Sequence, residues 1–127
     1  MTTTLYRVIQ PVTDIAAAAR FYAGVLGVPG SRVSPGRHYF ECGGTILACY
    51  DPAADGDDVG EGWRHHASQY LYFSVDDLEA AEVRVVQMGG TVHAGIARMP
   101  WGERMFYGKD PFGNPISFVD ARTVFRG

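Results

Sequence analysis

The side chains in this sequence that could act as acids, bases or metal ligands form no pattern that strongly indicates a site. The pair His65-His66 lies among carboxylates in a polar segment, but adjacent side chains diverge, so the pair only weakly indicates a metal site. His38 and His93 have no partner close in sequence. Glu41 and Glu103 lie in predicted strands, where burial would have to raise the pKa of a general base. These residues leave any catalytic group unassigned.

The two cysteines, Cys42 and Cys49, predict no disulfide. A chain of 127 residues does not need one, and a reducing compartment would not keep one. No pattern of cysteine with histidine points to a catalytic thiol. Both are therefore expected to be small, half-buried hydrophobic residues.

The composition is that of an ordinary soluble globular protein. Apolar residues make up 46% of the chain, and the formal net charge is −3. The arginines are scattered, so no basic patch predicts binding to a nucleic acid. No apolar run could cross a bilayer, and the first ten residues lack the pattern of a signal peptide. We expect a cytoplasmic protein with no nucleic-acid or membrane partner.

Local patterns in the first half predict a strand, a helix and a β-hairpin with its turn at Gly43-Gly44. In order, the segments are a strand at 5–12, a helix that begins at Thr13 or Asp14 and ends at Gly27, a loop at 28–36, two strands within 37–52, and a connecting loop that begins at residue 53. Trp63 is a possible anchor for that loop.

The second half repeats the order of elements. Asp14 in VTDI corresponds to Asp77 in VDDL, 63 residues later (77 − 14), which is about half the chain. This spacing predicts two copies of one βαβββ unit. The parts are repeat one at 1–52, a linker at 53–67 and repeat two at 68–127. We expect one α+β domain, 1–127, whose repeats form a curved, mostly antiparallel sheet with helices outside and a concave cleft inside.

Three motifs carry a resemblance to a known family: VTDIAAAARFYAGVLGVPG, VDDLEAAEVRVVQMGG and WGERMFYGKDPFGNPISFVD. With them, nearly the whole chain resembles the vicinal oxygen chelate superfamily, which includes glyoxalase I, extradiol dioxygenases, and fosfomycin and bleomycin resistance proteins. The resemblance implies the fold. It does not imply one function, because this fold hosts many chemistries.

Metal-using members of that superfamily bind a divalent ion with four side chains on the concave face. The resemblance places those positions at Arg7, Leu47, Tyr70 and Ser117. Arginine has no lone pair to donate, leucine has no donor atom, and protonated tyrosine and serine are poor ligands. Divalent ions in this superfamily take imidazole and carboxylate ligands. We therefore expect the fold without a metal, and no cofactor.

Strand alternation predicts which side chains share the concave face. Leu5 and Ile9 should share the face of Arg7, Tyr72 and Ser74 that of Tyr70, and Val119 that of Ser117. We add Trp101 to this set. Phe40 and Trp63 are further candidates. Aromatic rings with few polar groups are typical of a small-molecule pocket. The predicted ligand-binding residues are Arg7, Leu47, Tyr70, Tyr72, Trp101, Glu103 and Ser117.

Each of these residues also has a purely structural interpretation. Arg7 could pair with Glu41 or Glu103 instead of holding a ligand anion. The tyrosines could serve packing, Trp101 could pin its turn, and Ser117 could form a local hydrogen bond.

Three functions follow from these alternatives. The first is a metal-free protein of the bleomycin-resistance type that binds an aromatic or amphipathic small molecule. The second is an enzyme of the same superfamily, a lyase, isomerase or dioxygenase that uses a metal or a Glu, His or Tyr acid–base group. The third is a structural or interaction module with a filled cleft. The resemblance also implies a homodimer.

Overall fold

A computed structural model describes residues 2–60, 63–64 and 66–126. The backbone divides into two compact units, Met1–His65 and His66–Gly127. Each unit contains one α-helix and one four-stranded sheet. The boundary between the units lies within the segment 53–67 that was predicted to be a linker.

The first unit contains a strand, a helix and three further strands, the order that the βαβββ repeat predicts. The elements are β1 (Arg7–Pro11), α1 (Ile15–Leu26), β2 (Ser31–Ser34), β3 (Arg37–Cys42) and β4 (Thr45–Tyr50). A short 3-10 helix, Pro52–Asp55, opens the segment that was predicted to be a loop.

Helix α1 begins and ends at the predicted signals. Asp14 caps it, because its Oδ1 accepts a 3.0 Å hydrogen bond from the backbone N–H of Ala17. Asp14, rather than Thr13, therefore fills this role. Gly27 ends the helix in the left-handed conformation, with φ of 76°. The side chains that α1 buries recur at helical spacing: Ile15, Ala18, Phe21, Tyr22 and Val25.

The first sheet has the strand order β1-β4-β3-β2. β1 is parallel to β4, and the other two pairs are antiparallel. The hairpin of β3 and β4 turns at Gly43-Gly44, as predicted. Residues 31–34 were predicted as a loop and instead form β2. This edge strand pairs with one neighbour and is largely exposed, so its sequence lacks apolar alternation.

The second unit repeats this architecture. Its elements are β5 (Leu71–Val75), α2 (Leu78–Gln87), β6 (Thr91–Arg98), β7 (Arg104–Lys109), β8 (Pro115–Asp120) and a terminal 3-10 helix at Ala121–Thr123. The strand order, β5-β8-β7-β6, is equivalent to that of the first sheet, again with one parallel pair. Asp77 caps α2 by accepting a 3.0 Å hydrogen bond from the N–H of Ala80.

The turn DPFGNP leads directly into β8. The Oδ1 of Asp110 accepts 2.9 Å hydrogen bonds from the backbone N–H groups of Phe112 and Asn114. Gly113 lies between them at φ of 85°. All six residues of β8 are buried. The turn chemistry in the sequence thus starts the central strand of the second sheet.

The predicted α+β fold of two βαβββ repeats is confirmed. The eight strands form two separate four-stranded sheets, one in each repeat. Among the described residues, no helix is long and apolar enough to cross a membrane.

Candidate functional site

The strand register of the first unit identifies the face that its helix covers. Gln10 donates a 2.9 Å hydrogen bond to the hydroxyl of Tyr22 on α1, and the rings of Tyr22 and Phe40 lie 6.1 Å apart. Directly paired residues point to the same side of a sheet. Arg7 precedes Gln10 by three positions and therefore lies on the opposite side, which we call the helix-opposite face.

The register contradicts the predicted position of Leu47. Leu47 pairs with Val8 and Phe40, lies on the helix side, and is only 2% exposed. Ile46 is the residue that pairs with Arg7. Phe40, the further aromatic candidate, likewise packs under the helix. A shift of one residue along a strand moves a side chain to the other face, and the sequence did not specify that register.

Arg7 pairs with a tyrosine. Its Nη1 donates a 3.2 Å hydrogen bond to the hydroxyl of Tyr39, to which Arg37 also donates, at 3.0 Å. Glu41 does not pair with Arg7; its Oε1 accepts a 2.6 Å hydrogen bond from the N–H of Gly44 at the hairpin turn. Sequence reasoning missed Tyr39 and Arg37, although their alternation with Glu41 in β3 places all three on one face.

In the second unit, two of the predicted residues, Tyr72 and Ser117, lie on one face of the sheet. Tyr72 pairs with Ser117, which pairs on its other side with Tyr107. The helix covers the other face, since a Cβ on Gly108 would lie 3.8 Å from Val85 of α2. The helix-opposite face of the second sheet therefore carries the two tyrosines and Ser117.

Four rings on this face form what we call the aromatic cluster: Tyr70, Tyr72, His93 and Tyr107. The Tyr70 and Tyr107 rings meet edge to face at 5.4 Å, and His93 stacks on Tyr107 at 6.2 Å. Tyr70 lies 6.5 Å from Tyr72 between ring centres. Such edge and stacked contacts hold aromatic rings in defined orientations.

His93 joins the aromatic cluster through an irregularity in β6. The register shifts between Val92 and Ala94, so an extra residue lies opposite β7. The Nε2 of His93 is 3.2 Å from the Tyr70 hydroxyl. Sequence reasoning found no partner for His93, because a bulge leaves no signal in a short strand pattern.

The surroundings of the Tyr72 phenol disfavour its ionised form. Although 54% of the residue is exposed, loss of water around the hydroxyl raises the pKa of Tyr72. A hydrogen bond with Tyr107 and the nearby charge of Glu103 raise it further. Tyr72 is thus suited to hydrogen bonding and stacking and is a poor candidate for a base.

Ser117 lies on the predicted face but has no exposed surface. Its residue exposure is 0%, and its hydroxyl donates a 2.9 Å hydrogen bond to the carbonyl oxygen of Phe106. Ser117 therefore forms a local hydrogen bond, which was its structural interpretation. Its hydroxyl group donates to the sheet backbone.

Trp101 and Glu103 lie at the turn between β6 and β7. Trp101 is 60% exposed, and its indole N–H donates a 2.9 Å hydrogen bond to Oε1 of Glu103. Oε2 of Glu103 accepts from the N–H of Phe125 at 3.3 Å. Trp101 thus belongs to the turn rather than to a strand face, and Glu103 ties the turn to the C-terminal segment.

The remaining candidates have structural partners or lie outside the description. Trp63 meets the ring of Tyr50 edge to face at 5.3 Å, consistent with an anchor. His38 contacts the carbonyl of Pro29 at 3.0 Å. Neither cysteine forms a disulfide, and burial raises the pKa of the Cys42 thiol. The predicted pair His65-His66 includes His65, which lies outside the described residues, as does Glu61 of the acidic loop.

The four positions that the resemblance assigns to metal ligands do not fit a metal here. Ser117 pairs with Tyr72, whose first-unit equivalent is Ile9 (72 − 9 = 63), and Ile9 pairs with Ala48. Ala48 therefore replaces Leu47 in this set, and Arg7, Ala48, Tyr70 and Ser117 offer neither an imidazole nor a carboxylate. In the part of the chain that the structure describes, no group of three or more His, Cys, Asp or Glu side chains could hold a metal ion.

A family model described as the Glyoxalase/Bleomycin resistance protein/Dioxygenase superfamily matches residues 4–118. No curated protein sequence matches significantly. Among solved structures, a glyoxalase-related enzyme from Fulvimarina pelagi has 21% identity and a TM-score of 0.78, covering 99% of this chain and 94% of that one.

Two further solved structures are similar. A lactoylglutathione lyase from Agrobacterium tumefaciens has 24% identity and a TM-score of 0.69, with 95% of this chain and 96% of that one covered. A glyoxalase/bleomycin resistance protein from Albidiferax ferrireducens T118 has 21% identity and a TM-score of 0.73, with 91% and 97% covered. At these identities, the likeness establishes the fold alone.

Proposed function

Because this chain belongs to the Glyoxalase/Bleomycin resistance protein/Dioxygenase superfamily, we propose that it binds an aromatic or amphipathic small molecule without using a metal. The aromatic cluster on the helix-opposite face of the second sheet is the observation that carries the proposal. Tyr72 and His93 are exposed, whereas Tyr70 and Tyr107 are half-buried. A planar ligand stacks on the exposed rings and takes hydrogen bonds from the phenols.

The metal-free part of the proposal rests on donor chemistry. A guanidinium, an alkyl side chain, a phenol and a hydroxyl occupy the positions equivalent to the metal ligands of relatives. The hydroxyl among them, Ser117, already donates to a backbone carbonyl. Protein purified without chelator should contain far less than one equivalent of any divalent metal by elemental analysis. One tightly bound equivalent would contradict this part of the proposal.

Ligand binding is tested by titrating uncharged planar aromatic compounds against intrinsic tryptophan fluorescence. Trp101 is a suitable reporter, because it is exposed and lies in the same unit as the aromatic cluster, at the turn between β6 and β7. For a compound that binds, Tyr72→Ala should weaken the affinity about tenfold, the scale of one aromatic contact.

The matched control is Tyr6→Ala, which removes a similarly exposed tyrosine (59%) from the first unit. This variant should keep the native affinity. Equal affinities for native protein and Tyr72→Ala, or equal losses in both variants, would show that the aromatic cluster is not the site.

One observation favours a second candidate function, an acid–base enzyme of the same superfamily. The Tyr70 hydroxyl and the Nε2 of His93 are 3.2 Å apart, the distance of a hydrogen bond through which a proton can pass. His93→Phe, which keeps a ring for stacking but has no ring nitrogen to carry a proton, should then abolish turnover of a bound compound while leaving its affinity within about twofold. Activity that survives in this variant would exclude His93 as the acid–base group.

The homodimer implied by the resemblance is also proposed. Size-exclusion chromatography with light scattering should give twice the monomer mass. A monomer mass at the highest concentration tested would contradict it.

A further inference from the structure

Two arginines on the helix-opposite face of the first sheet converge on one oxygen atom. The Nη1 atoms of Arg7 and Arg37 donate hydrogen bonds to the Tyr39 hydroxyl at 3.2 and 3.0 Å. Arg7 lies in β1 and Arg37 in β3, on either side of β4. We call Arg7 and Arg37 the arginine pair.

The strand register explains how side chains from non-adjacent strands meet. Tyr39 and Ile9 both pair with Ala48 of β4. The small side chain of Ala48 leaves room above the central strand, and the longer side chains cover it completely, since Ala48 is 0% exposed. Arg7 lies two positions before Ile9 in β1, and Arg37 lies two positions before Tyr39 in β3. The two arginines therefore approach the Tyr39 side chain from opposite directions along the strands.

The positive charge of the arginine pair is only partly balanced. Asp55 is the nearest carboxylate to Arg37, with its Oδ2 at 4.0 Å from Nε. Its two oxygens already accept 2.7 Å hydrogen bonds from Ser34 and Gly36. No carboxylate among the described residues lies within ion-pair distance of Arg7. Two cations therefore share one neutral oxygen acceptor, which costs electrostatic repulsion.

Aromatic rings hold the guanidinium groups in place. The Cζ of Arg37 lies 4.0 Å from the ring centre of Tyr50. The Cζ of Arg7 lies 5.1 Å from the ring centre of Tyr6 and 5.2 Å from that of Tyr39. Tyr50 is fixed in turn by a hydrogen bond to Asp57. Groups fixed before binding lose little freedom when a ligand arrives.

We propose that Arg7, Arg37 and Tyr39 form a binding site for an oxyanion, the carboxylate or phosphate group of a small molecule. Each arginine uses Nη1 on Tyr39 and keeps further N–H donors, and the Tyr39 hydroxyl can donate its own hydrogen. An oxyanion accepts from these donors and relieves the repulsion between the cations. The site belongs to the first unit and stands independently of the aromatic cluster.

The experiment uses three probes of similar size that differ in charge: benzoate, phenyl phosphate and uncharged benzyl alcohol. Binding at pH 7 is followed by NMR chemical shifts of the arginine side-chain N–H groups and by calorimetry. We expect at least one anion to bind at least tenfold more tightly than benzyl alcohol, and to weaken as salt rises. The tighter of the two anions distinguishes a carboxylate ligand from a phosphate ligand.

Arg7→Met and Arg37→Met should each reduce anion affinity at least tenfold. The control Arg20→Met removes the same charge from the exposed surface of α1 and should change the affinity less than twofold. Arg7 is exposed, so Arg7→Met is expected to fold normally. The proposal can therefore still be tested with this variant if Arg37→Met destabilises β3. Equal affinities for the anions and benzyl alcohol, no anion binding, or equal losses in Arg7→Met and Arg20→Met would overturn the proposal.

Discussion

The hydroxyl of Ser117 donates a 2.9 Å hydrogen bond to the carbonyl oxygen of Phe106 across the neighbouring strand. Ser117 pairs with Tyr107, so this bond adds a side-chain link between β8 and β7 beside their backbone ladder. At a position that the resemblance assigns to a metal-binding carboxylate, this chain has a buried hydroxyl that is already bonded. Its role is structural, and this has a measurable consequence.

We expect Ser117→Ala to lower the free energy of unfolding by about 1 kcal/mol, the net value of one buried hydrogen bond. Urea denaturation measures this change. The control Ser74→Ala removes a hydroxyl from an exposed position on the same face and should stay within about 0.5 kcal/mol of the native value. Ligand affinity should be unchanged in both variants. A large loss of affinity in Ser117→Ala would restore a binding role for this residue.

Two glycines with the same backbone conformation should respond differently to alanine. Gly30 and Gly43 have φ of 63° and 64°. A Cβ on Gly30 would lie 2.7 Å from the carbonyl oxygen of Tyr39, whereas nothing lies within 4 Å of one on Gly43. Gly43→Ala should cost about 1–2 kcal/mol from left-handed strain alone. Gly30→Ala should cost about 1–3 kcal/mol more, by thermal or urea unfolding. Equal losses of unfolding free energy in the two variants would mean that the backbone around Gly30 can move away from Tyr39 without a measurable loss of stability.

Asp120 should give the protein an acid-sensitive contribution to stability. Hydrogen bonds from Arg122, at 2.6 Å between Nη2 and Oδ2, and then from Arg104 lower the pKa of Asp120 well below its usual range. A carboxyl whose pKa is lowered by folding stabilises the protein above its unfolded pKa of about 3.9. That stabilisation is lost as the pH falls below about 4.

Asp120→Asn should therefore lower the free energy of unfolding at pH 7 and flatten its decline below about pH 4. Urea denaturation across this pH range measures both effects. Asp76→Asn, at an exposed position, is the control and should keep the native pH profile. An unaltered acid decline in Asp120→Asn would show that other carboxyl groups set it.

The N-terminal caps of the two helices should contribute equally to stability. Asp14 and Asp77 each accept one 3.0 Å hydrogen bond from a backbone N–H three positions later. Asp14→Ala and Asp77→Ala should each cost about 1 kcal/mol by urea denaturation. Thr13→Ala, beside the cap of α1, should cost much less. A larger loss in Thr13→Ala than in Asp14→Ala would reverse the assignment of the cap.

Local signals were enough to predict the architecture. The aspartate caps, the glycine after α1 and the turn before β8 each act within a few residues, so the sequence shows them directly. The recurrence of the aspartate cap 63 residues later (77 − 14), together with the same order of elements, predicted the repeat. β2 was missed because it is an exposed edge strand, and such a strand needs no apolar pattern that the sequence could show.

The site was harder to predict, because it depends on pairing between distant residues. Leu47 was placed one position out of register, and one position exchanges the two faces of a strand. Arg7 was expected to pair with a carboxylate or a ligand, but it meets Tyr39, 32 residues away. His93 had no partner in its own segment, and a bulge brought it to Tyr70.

By itself, the sequence determined the two βαβββ repeats and the residue types at the positions that the resemblance assigns to metal ligands. Both depend only on residue types and their spacing along the chain, which do not change with the folded contacts. Only the tertiary structure decided which side chains share a face and which polar groups are already bonded. The buried hydroxyl of Ser117, the aromatic cluster around Tyr70 and the convergence of Arg7 and Arg37 all arise from strand register, which non-local backbone hydrogen bonds fix.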